Sequence, residues 1–247
     1  MKFKAALLWL VLSGSACQAT PPSACRDANF SGTDYTICSF NPETADIRLF
    51  LNDGEEQVLG SFDAVNAELA KSDEILIFAM NAGMYHKDRA PVGLYREHGA
   101  STGRLQTKAS TGNFGMLPNG VFHIHNGQAG VSETNQFLLK STVPDFATQS
   151  GPMLVIDGAL HPKFNAGSSS RRIRNGVGAT ADGSIVFVMS EQPVNFHDFA
   201  SLFKDELNTP NALYLDGVIS RVFSTELDRN DYGAKMGPIV GVVVPKK

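Results

Sequence analysis

Ala181-Asp182-Gly183-Ser184-Ile185-Val186-Phe187-Val188-Met189 joins a short polar turn to an unbroken apolar run, and its reading decides the fold. Asp-Gly supplies the backbone that a tight hairpin connection needs. The run that follows is rich in β-branched and aromatic residues and does not alternate with polar ones, so a strand covered on both faces is expected. The same grammar repeats outward from it: runs at 35–40, 46–51, 75–80, 121–124, 153–156, 212–215 and 239–244 also read as strands. Helical spacing is confined to two segments. Phe62, Val65 and Leu69 share one face of a helix over 62–71, and Phe196, Phe199, Ala200, Phe203 and Leu207 recur at that spacing behind Asn195, an N-cap residue. Many strands with few helices give an α+β fold, a sheet-rich single domain with the helices packed on a twisted, mostly antiparallel or mixed sheet.

The amino end points to export. Two lysines within residues 1–4 precede an apolar run at 5–12 and the small residues Ser13, Gly14, Ser15 and Ala16, the order of a secretory signal. That run is too short to span a bilayer, which takes roughly 20 residues, so no transmembrane segment is expected. Residues 1–19 are read as the signal and 20–247 as the functional domain, working in the periplasm or as a secreted protein. Cys17 follows small residues as in a lipoprotein site, and a lipid anchor there is the alternative to cleavage after Ala19. Cys25 and Cys38 then remain as an even pair in an oxidising compartment, so a Cys25–Cys38 disulfide is expected, the alternative being two buried free thiols. Removing residues 1–19 takes away two lysines and no acid, which leaves 19 basic against 25 acidic residues. Nucleic acid and anionic membranes are poor partners for that balance.

Chemistry-bearing motifs are sparse. No Gly-x-Ser-x-Gly elbow, His-Glu-x-x-His helix, phosphate-loop lysine or dinucleotide fingerprint is present. His123 and His125 share a strand face, but without further ligands nearby a polar face is the better reading, and no metal ligand set or cofactor is assigned. A divalent metal requirement is left open. Arg171, Arg172 and Arg174 follow Ser168, Ser169 and Ser170 and lead into Asn175-Gly176-Val177-Gly178. Guanidinium forks and hydroxyls suit an anionic, oxygen-rich ligand, although a polar loop has the same composition. Asp157-Gly158 and Asp216-Gly217 each end an apolar run, as hairpin turns or as carboxylates held rigidly at strand ends. Asn81 ends another run, where a turn role competes with a functional one.

In order, these pieces resemble the phosphodiester glycosidase family, that of the mannose 6-phosphate uncovering enzyme. Asn81-Ala82-Gly83-Met84-Tyr85 matches its Asn-Gly-Gly-aromatic segment, and Gly151-Pro152-Met153-Leu154-Val155-Ile156-Asp157-Gly158 its Gly-Pro-x-Leu-x-x-Asp-Gly segment. Arg174 with Asp182-Gly183, and Leu215-Asp216-Gly217-Val218-Ile219-Ser220, match two more. The runs 91–95, 118–122 and 148–150 resemble a bacterial branch. Ala82 and Val218 replace family glycines, and Ser190-Glu191 replaces a different polar pair, which implies an altered pocket. The resemblance implies an exported hydrolase that cleaves the bond between an anomeric carbon and a phosphodiester oxygen, with a sugar phosphodiester or envelope glycan as substrate. It makes Asp216 the carboxylate at the reacting centre, Arg174 the phosphate clamp, and Asn81, Asp157 and Glu191 groups that orient sugar or water. Tyr85, Asn119, Gln149, Ser170, Arg172, Asn175, Gly217 and Ser220 are expected to contact substrate. The alternatives are a non-catalytic carbohydrate- or phosphate-binding envelope protein and a metal-dependent phosphodiesterase that cuts the phosphorus–oxygen bond.

Overall fold

The computed structural model describes residues 24–216 and 219–246; the expected signal segment, Cys17, Gly217 and Val218 lie outside the described residues. In chain order the strands are β1 (Cys25–Phe30), β2 (Thr33–Phe40), β3 (Asp46–Phe50), β4 (Glu74–Asn81), β5 (Tyr95–Glu97), β6 (Ala100–Thr102), β7 (Gly120–His125) and β8 (Gln128–Glu133). They continue as β9 (Phe146–Ser150), β10 (Met153–Ile156), β11 (Ala159–Leu160), β12 (Asn175–Ala179), β13 (Ile185–Ser190), β14 (Asn211–Tyr214), β15 (Val222–Ser224), β16 (Arg229–Asn230) and β17 (Ile239–Pro245). Helices are α1 (Phe62–Leu69), the short α2 (Thr134–Leu138) and α3 (Phe196–Ser201), which a π-helical turn extends from Leu202 to Glu206. α2 carries no periodic signal long enough to be read from sequence.

The expected hairpin closes as its sequence dictates. Thr180 N–H donates to the Ser184 carbonyl, the Asp182 carboxylate accepts from Ser184 N–H, and β12 and β13 pair from Ala179 opposite Ile185. β13 lies in a seven-stranded sheet of order β1-β2-β13-β12-β14-β10-β11. Two five-stranded sheets accompany it, β16-β15-β4-β17-β3 and β6-β5-β9-β7-β8, and the pairings within all three are antiparallel. The α+β reading holds, with three sheets in place of one.

The faces explain why the runs at 185–189 and 212–215 do not alternate. Phe187, Met189 and Leu213 point toward Phe78, Met80, Phe122 and Val240 of the smaller sheets. Val186, Val188, Ala212 and Tyr214 point the other way, onto Phe199, Leu202 and Phe203 of the α3 segment. α1 covers the outer face of the β4–β17 sheet through Phe62, Val65 and Leu69. Burying one such aromatic or aliphatic side chain contributes roughly 1.5–3 kcal/mol, so two covered faces on the central sheet make it the dominant core. Cys25 and Cys38 sit directly opposite each other in the β1–β2 ladder and form the expected disulfide. Among the described residues no helix is long and apolar enough to cross a membrane.

Candidate active site

Three chain segments distant in sequence meet at one end of the central sheet. Asn81 ends β4, Asn175 begins β12, and Leu215 and Asp216 follow β14. Asn175 Nδ2 donates to the Asn81 carbonyl at 2.9 Å, and Asn81 Nδ2 approaches Asn175 Oδ1 at 3.4 Å. The Arg221 N–H donates to Asn81 Oδ1 at 2.9 Å, Ser220 Oγ approaches Asn175 Oδ1 at 3.4 Å, and Leu215 N–H donates to the Asn175 carbonyl. Both asparagines are fully buried. A buried amide stripped of its partner costs about 1–3 kcal/mol, so this network fixes how the segments after β4 and β14 stand relative to each other.

Asp216 is 7% exposed, more enclosed than a carboxylate at an open strand end. β14 is the expected interior strand, paired with β12 on one side and β10 on the other, and it delivers Asp216 to Tyr85, two positions after Tyr214. The Tyr85 hydroxyl hydrogen-bonds Asp216, and its pKa is pushed up to about 12, first by burial and then by the Asp216 charge. Tyr214 is likewise pushed up to about 12 by burial, with Asp216 adding to the rise and Arg174 opposing it. Both phenols therefore stay protonated at neutral pH and face the carboxylate as neutral groups.

Arg174 stands on the Tyr214 side and is 1% exposed. Its Nε donates to the Val194 carbonyl at 2.9 Å and its Nη2 to the Ser170 carbonyl at 3.0 Å. The guanidinium lies 3.7 Å from the centre of the Phe196 ring and 5.3 Å from that of Tyr214. Nη1 is buried without a hydrogen bond of ordinary geometry to the described residues, as is the Tyr214 hydroxyl beside it. Burial lowers the Arg174 pKa and the Tyr214 phenol counters that. The cation is held by carbonyls and a ring face, and the Tyr214 hydroxyl is the neighbour that acts on it most strongly.

The structure brings Asn81, Asn175, Ser220, Tyr85, Asp216 and Arg174 together and leaves the remaining expected residues elsewhere. Asp157 is an exposed turn residue at φ +47° between β10 and β11; it exchanges hydrogen bonds with Asn211, at the opposite end of β14 from Asp216. The length of β14 separates it from the cluster. Glu191 follows β13 at the same end as Asp216, but its carboxylate is taken by Arg229 at 2.7 Å and Thr36 at 2.9 Å. Asn119 and Gln149 are buried and bond to each other, Thr134, Phe114, Leu94 and Gln106, which ties the loops around β7 and β9. Ser170 contributes its carbonyl to Arg174 while its side chain is exposed, and Arg172 is exposed with Nη1 on the Arg171 carbonyl. His123 meets Ser132 and Lys140, and the described residues hold no cluster of three metal-ligating side chains. Sequence reasoning missed Tyr214, hidden in an apolar run, and Phe196, read as helix core although it also stacks on Arg174.

Comparison with known proteins follows the same outline. A family model described as phosphodiester glycosidase matches residues 75–243. Uncharacterized protein YigE of Escherichia coli (strain K12) is 33% identical over 223 residues, covering 90% of this chain and 86% of that protein. Among solved structures, the catalytic domain of zebrafish N-acetylglucosamine-1-phosphodiester alpha-N-acetylglucosaminidase, auto-inhibited by its pro-peptide, aligns with a TM-score of 0.60 at 14% identity, over 88% of this chain and 81% of that one. A hypothetical protein from Synechocystis aligns with a TM-score of 0.53 at 17% identity, over 89% of this chain but only 61% of that one. At these identities the two structural likenesses establish a shared fold.

Proposed function

Because the chain belongs to the phosphodiester glycosidase family, we propose that it hydrolyses sugar phosphodiesters at the anomeric carbon, outside the cytoplasm. The observation that carries this reading is Asp216, enclosed and hydrogen-bonded to the Tyr85 phenol, with Tyr214 and the buried Arg174 guanidinium close enough to feel its charge or each other's. In the reaction a water oxygen joins the anomeric carbon and gives up one proton to solvent, and the bond from that carbon to the bridging oxygen breaks. Its electron pair leaves with a phosphate monoester. Such a leaving group departs as an anion, so strong protonation of it is less needed than in ordinary glycoside hydrolysis. What remains is to stabilise positive charge at the anomeric carbon and to position water.

In this proposal Asp216 supplies the negative charge at the reacting carbon, and Tyr85 orients it by hydrogen bonding. Arg174 offers Nη1 to a phosphate oxygen, while its other two nitrogens keep the groups around it in place. Asn81, Asn175 and Ser220 hold the joint on which sugar and water are ordered. The Cys25–Cys38 disulfide supports export, since such bonds persist in oxidising compartments.

The test is a panel of anomeric sugar phosphodiesters offered to purified mature protein in isotopically labelled water. Released sugar carrying the label at its anomeric hydroxyl is expected. Label in the phosphate would mean phosphodiesterase chemistry, and saturable binding with no released sugar would make the protein a binder; either result overturns the proposal.

A further inference from the structure

The Tyr85 side of the site carries two arginines that the proposed chemistry has not yet used. Arg89 sits in the tight turn after Tyr85, where His86 N–H meets the Ala90 carbonyl and Arg89 N–H meets the His86 carbonyl. Its φ of +74° lies in the left-handed region, where a side chain without local hydrogen-bonding ability is disfavoured. Its guanidinium carbon stands 5.4 Å from the centre of the Tyr85 ring, Nη1 donates to the Lys87 carbonyl, and Nε is buried without a partner among the described residues.

Arg221 approaches Tyr85 from another segment. Its backbone N–H is fixed on Asn81 Oδ1 and its Nη1 donates to the Ala234 carbonyl at 2.8 Å. The rest of the guanidinium lies against Gly233, where an added Cβ would fall 2.2 Å from Arg221 Nη2. The absent side chain at Gly233 is thus what leaves space for this cation. Neither Arg89 nor Arg221 has a carboxylate ion-pair partner among the described residues, whereas Arg48, Arg171 and Arg229 each do. Two seated, unneutralised guanidinium groups flank a phenol that touches the central carboxylate, in a chain whose net charge is −4.

We infer that Arg89 and Arg221 form an anion clamp on the Tyr85 side of the site, which binds the phosphoryl oxygens of the substrate and selects phosphodiesters over uncharged glycosides. The inference rests on the Asp216 site being a phosphodiester glycosidase centre. Arg174 spends two nitrogens on carbonyls and keeps only the buried Nη1 beside Tyr214, too few for the paired N–H contacts by which a guanidinium grips a phosphoryl group. Arg221 retains Nε and Nη2, and Arg89 retains Nη2, so together they supply the missing donors.

Inorganic phosphate titrated into mature protein, followed by protein-detected NMR, tests the clamp without any need for turnover. Wild type is expected to bind saturably, and the Arg89→Gln/Arg221→Gln double variant to bind at least about tenfold more weakly, each variant being checked for an unchanged fold. The single variants Arg89→Gln and Arg221→Gln are each expected to weaken binding in the same direction and decide the matter if the double variant does not fold. No wild-type binding by about 50 mM phosphate, or variant affinities within tenfold of wild type, would overturn the clamp. Turnover of the sugar phosphodiester panel is scored separately. Clamp-dependent phosphate binding without turnover would defeat the glycosidase reading alone, and full turnover by the double variant would defeat the clamp alone.

Discussion

Replacing Asp216 with asparagine removes one charge and almost nothing else. The side chains are nearly isosteric, and the amide oxygen introduced by Asp216→Asn would still accept from the Tyr85 hydroxyl, so the fold and the surrounding joint should persist. Because Asp216 is only 7% exposed, its charge is weakly screened by water. At about 4 Å and an effective dielectric of ~20, a unit charge acts on a developing cation with ~4 kcal/mol, on the order of 10³-fold in rate. Turnover of the sugar phosphodiester should fall by that factor, with ligand binding largely retained. A second readout follows from Tyr85, whose pKa of about 12 owes part of its rise to the Asp216 charge. In Asp216→Asn that part is lost, so the phenol should titrate at lower pH, which ultraviolet titration can read, with Tyr85→Phe identifying the signal. A folded Asp216→Asn protein that keeps more than about a tenth of wild-type kcat, a barrier change under ~1.4 kcal/mol, would refute the catalytic role. An unmoved Tyr85 titration would refute the contact.

Arg174→Lys keeps the charge but cannot hold the Val194 and Ser170 carbonyls and the Phe196 face at once, so urea denaturation should show a loss of about 3 kcal/mol, and kcat/KM of the folded fraction should drop at least ~30-fold. Stability within about 1 kcal/mol of wild type would mean that the fork is not what joins the 170–174 and 194–196 segments. His123 is lowered from 6.5 to about 4 by burial, with Lys140 and His125 adding repulsion. Between those values the unfolded chain takes up a proton that the folded one refuses, so stability should fall as pH drops from 6.5 toward 4, by up to about 3 kcal/mol. His123→Gln should flatten that limb of the stability curve, and an unchanged slope would show that other groups set it.

What sequence could and could not show is clearest at Asp-Gly, a pair that occurs four times, at 53, 157, 182 and 216. Asp53 accepts from Glu55 and Gln57 N–H, Asp157 adopts φ +47° in a hairpin, and Asp182 caps the β12–β13 turn. All three turns close locally, although Asp157 also bonds Asn211, and turn chemistry read along the chain finds them. Asp216 is buried because of residues far off in sequence: Tyr85 covers it, and the strand before it is set between β10 and β12. Nothing within a few positions of Asp216 distinguishes it from Asp157; only similarity to a family gave Asp216 the reacting centre, and that similarity also counted Asp157 among the site residues. The three arginines at 171, 172 and 174 are alike in the same way. Arg174 alone stands immediately before β12, and the hydrogen bonds exchanged with Ser190 turn its side chain inward onto Phe196, while Arg171 and Arg172 remain exposed.

The segment 175–179 shows the opposite error, in which local chemistry suggested a site and long-range packing made a strand. Arginines and serines leading into Asn-Gly-Val-Gly suit an anionic ligand or a polar loop, and glycine would let backbone come close. β12 is instead an interior strand, and the space its glycines leave is filled by protein: a Cβ at Gly178 would meet Thr209 at 2.7 Å and Phe203 at 2.9 Å. The glycines admit the α3 segment to the sheet, not a ligand to the loop. Only Asn175, at the strand's first position, belongs to the joint, and it does so by reaching Asn81, 94 residues earlier. A fold assembled from turns and apolar runs is therefore legible residue by residue, whereas this site exists only once two sheets have packed, because each of its polar groups takes its partner from another segment.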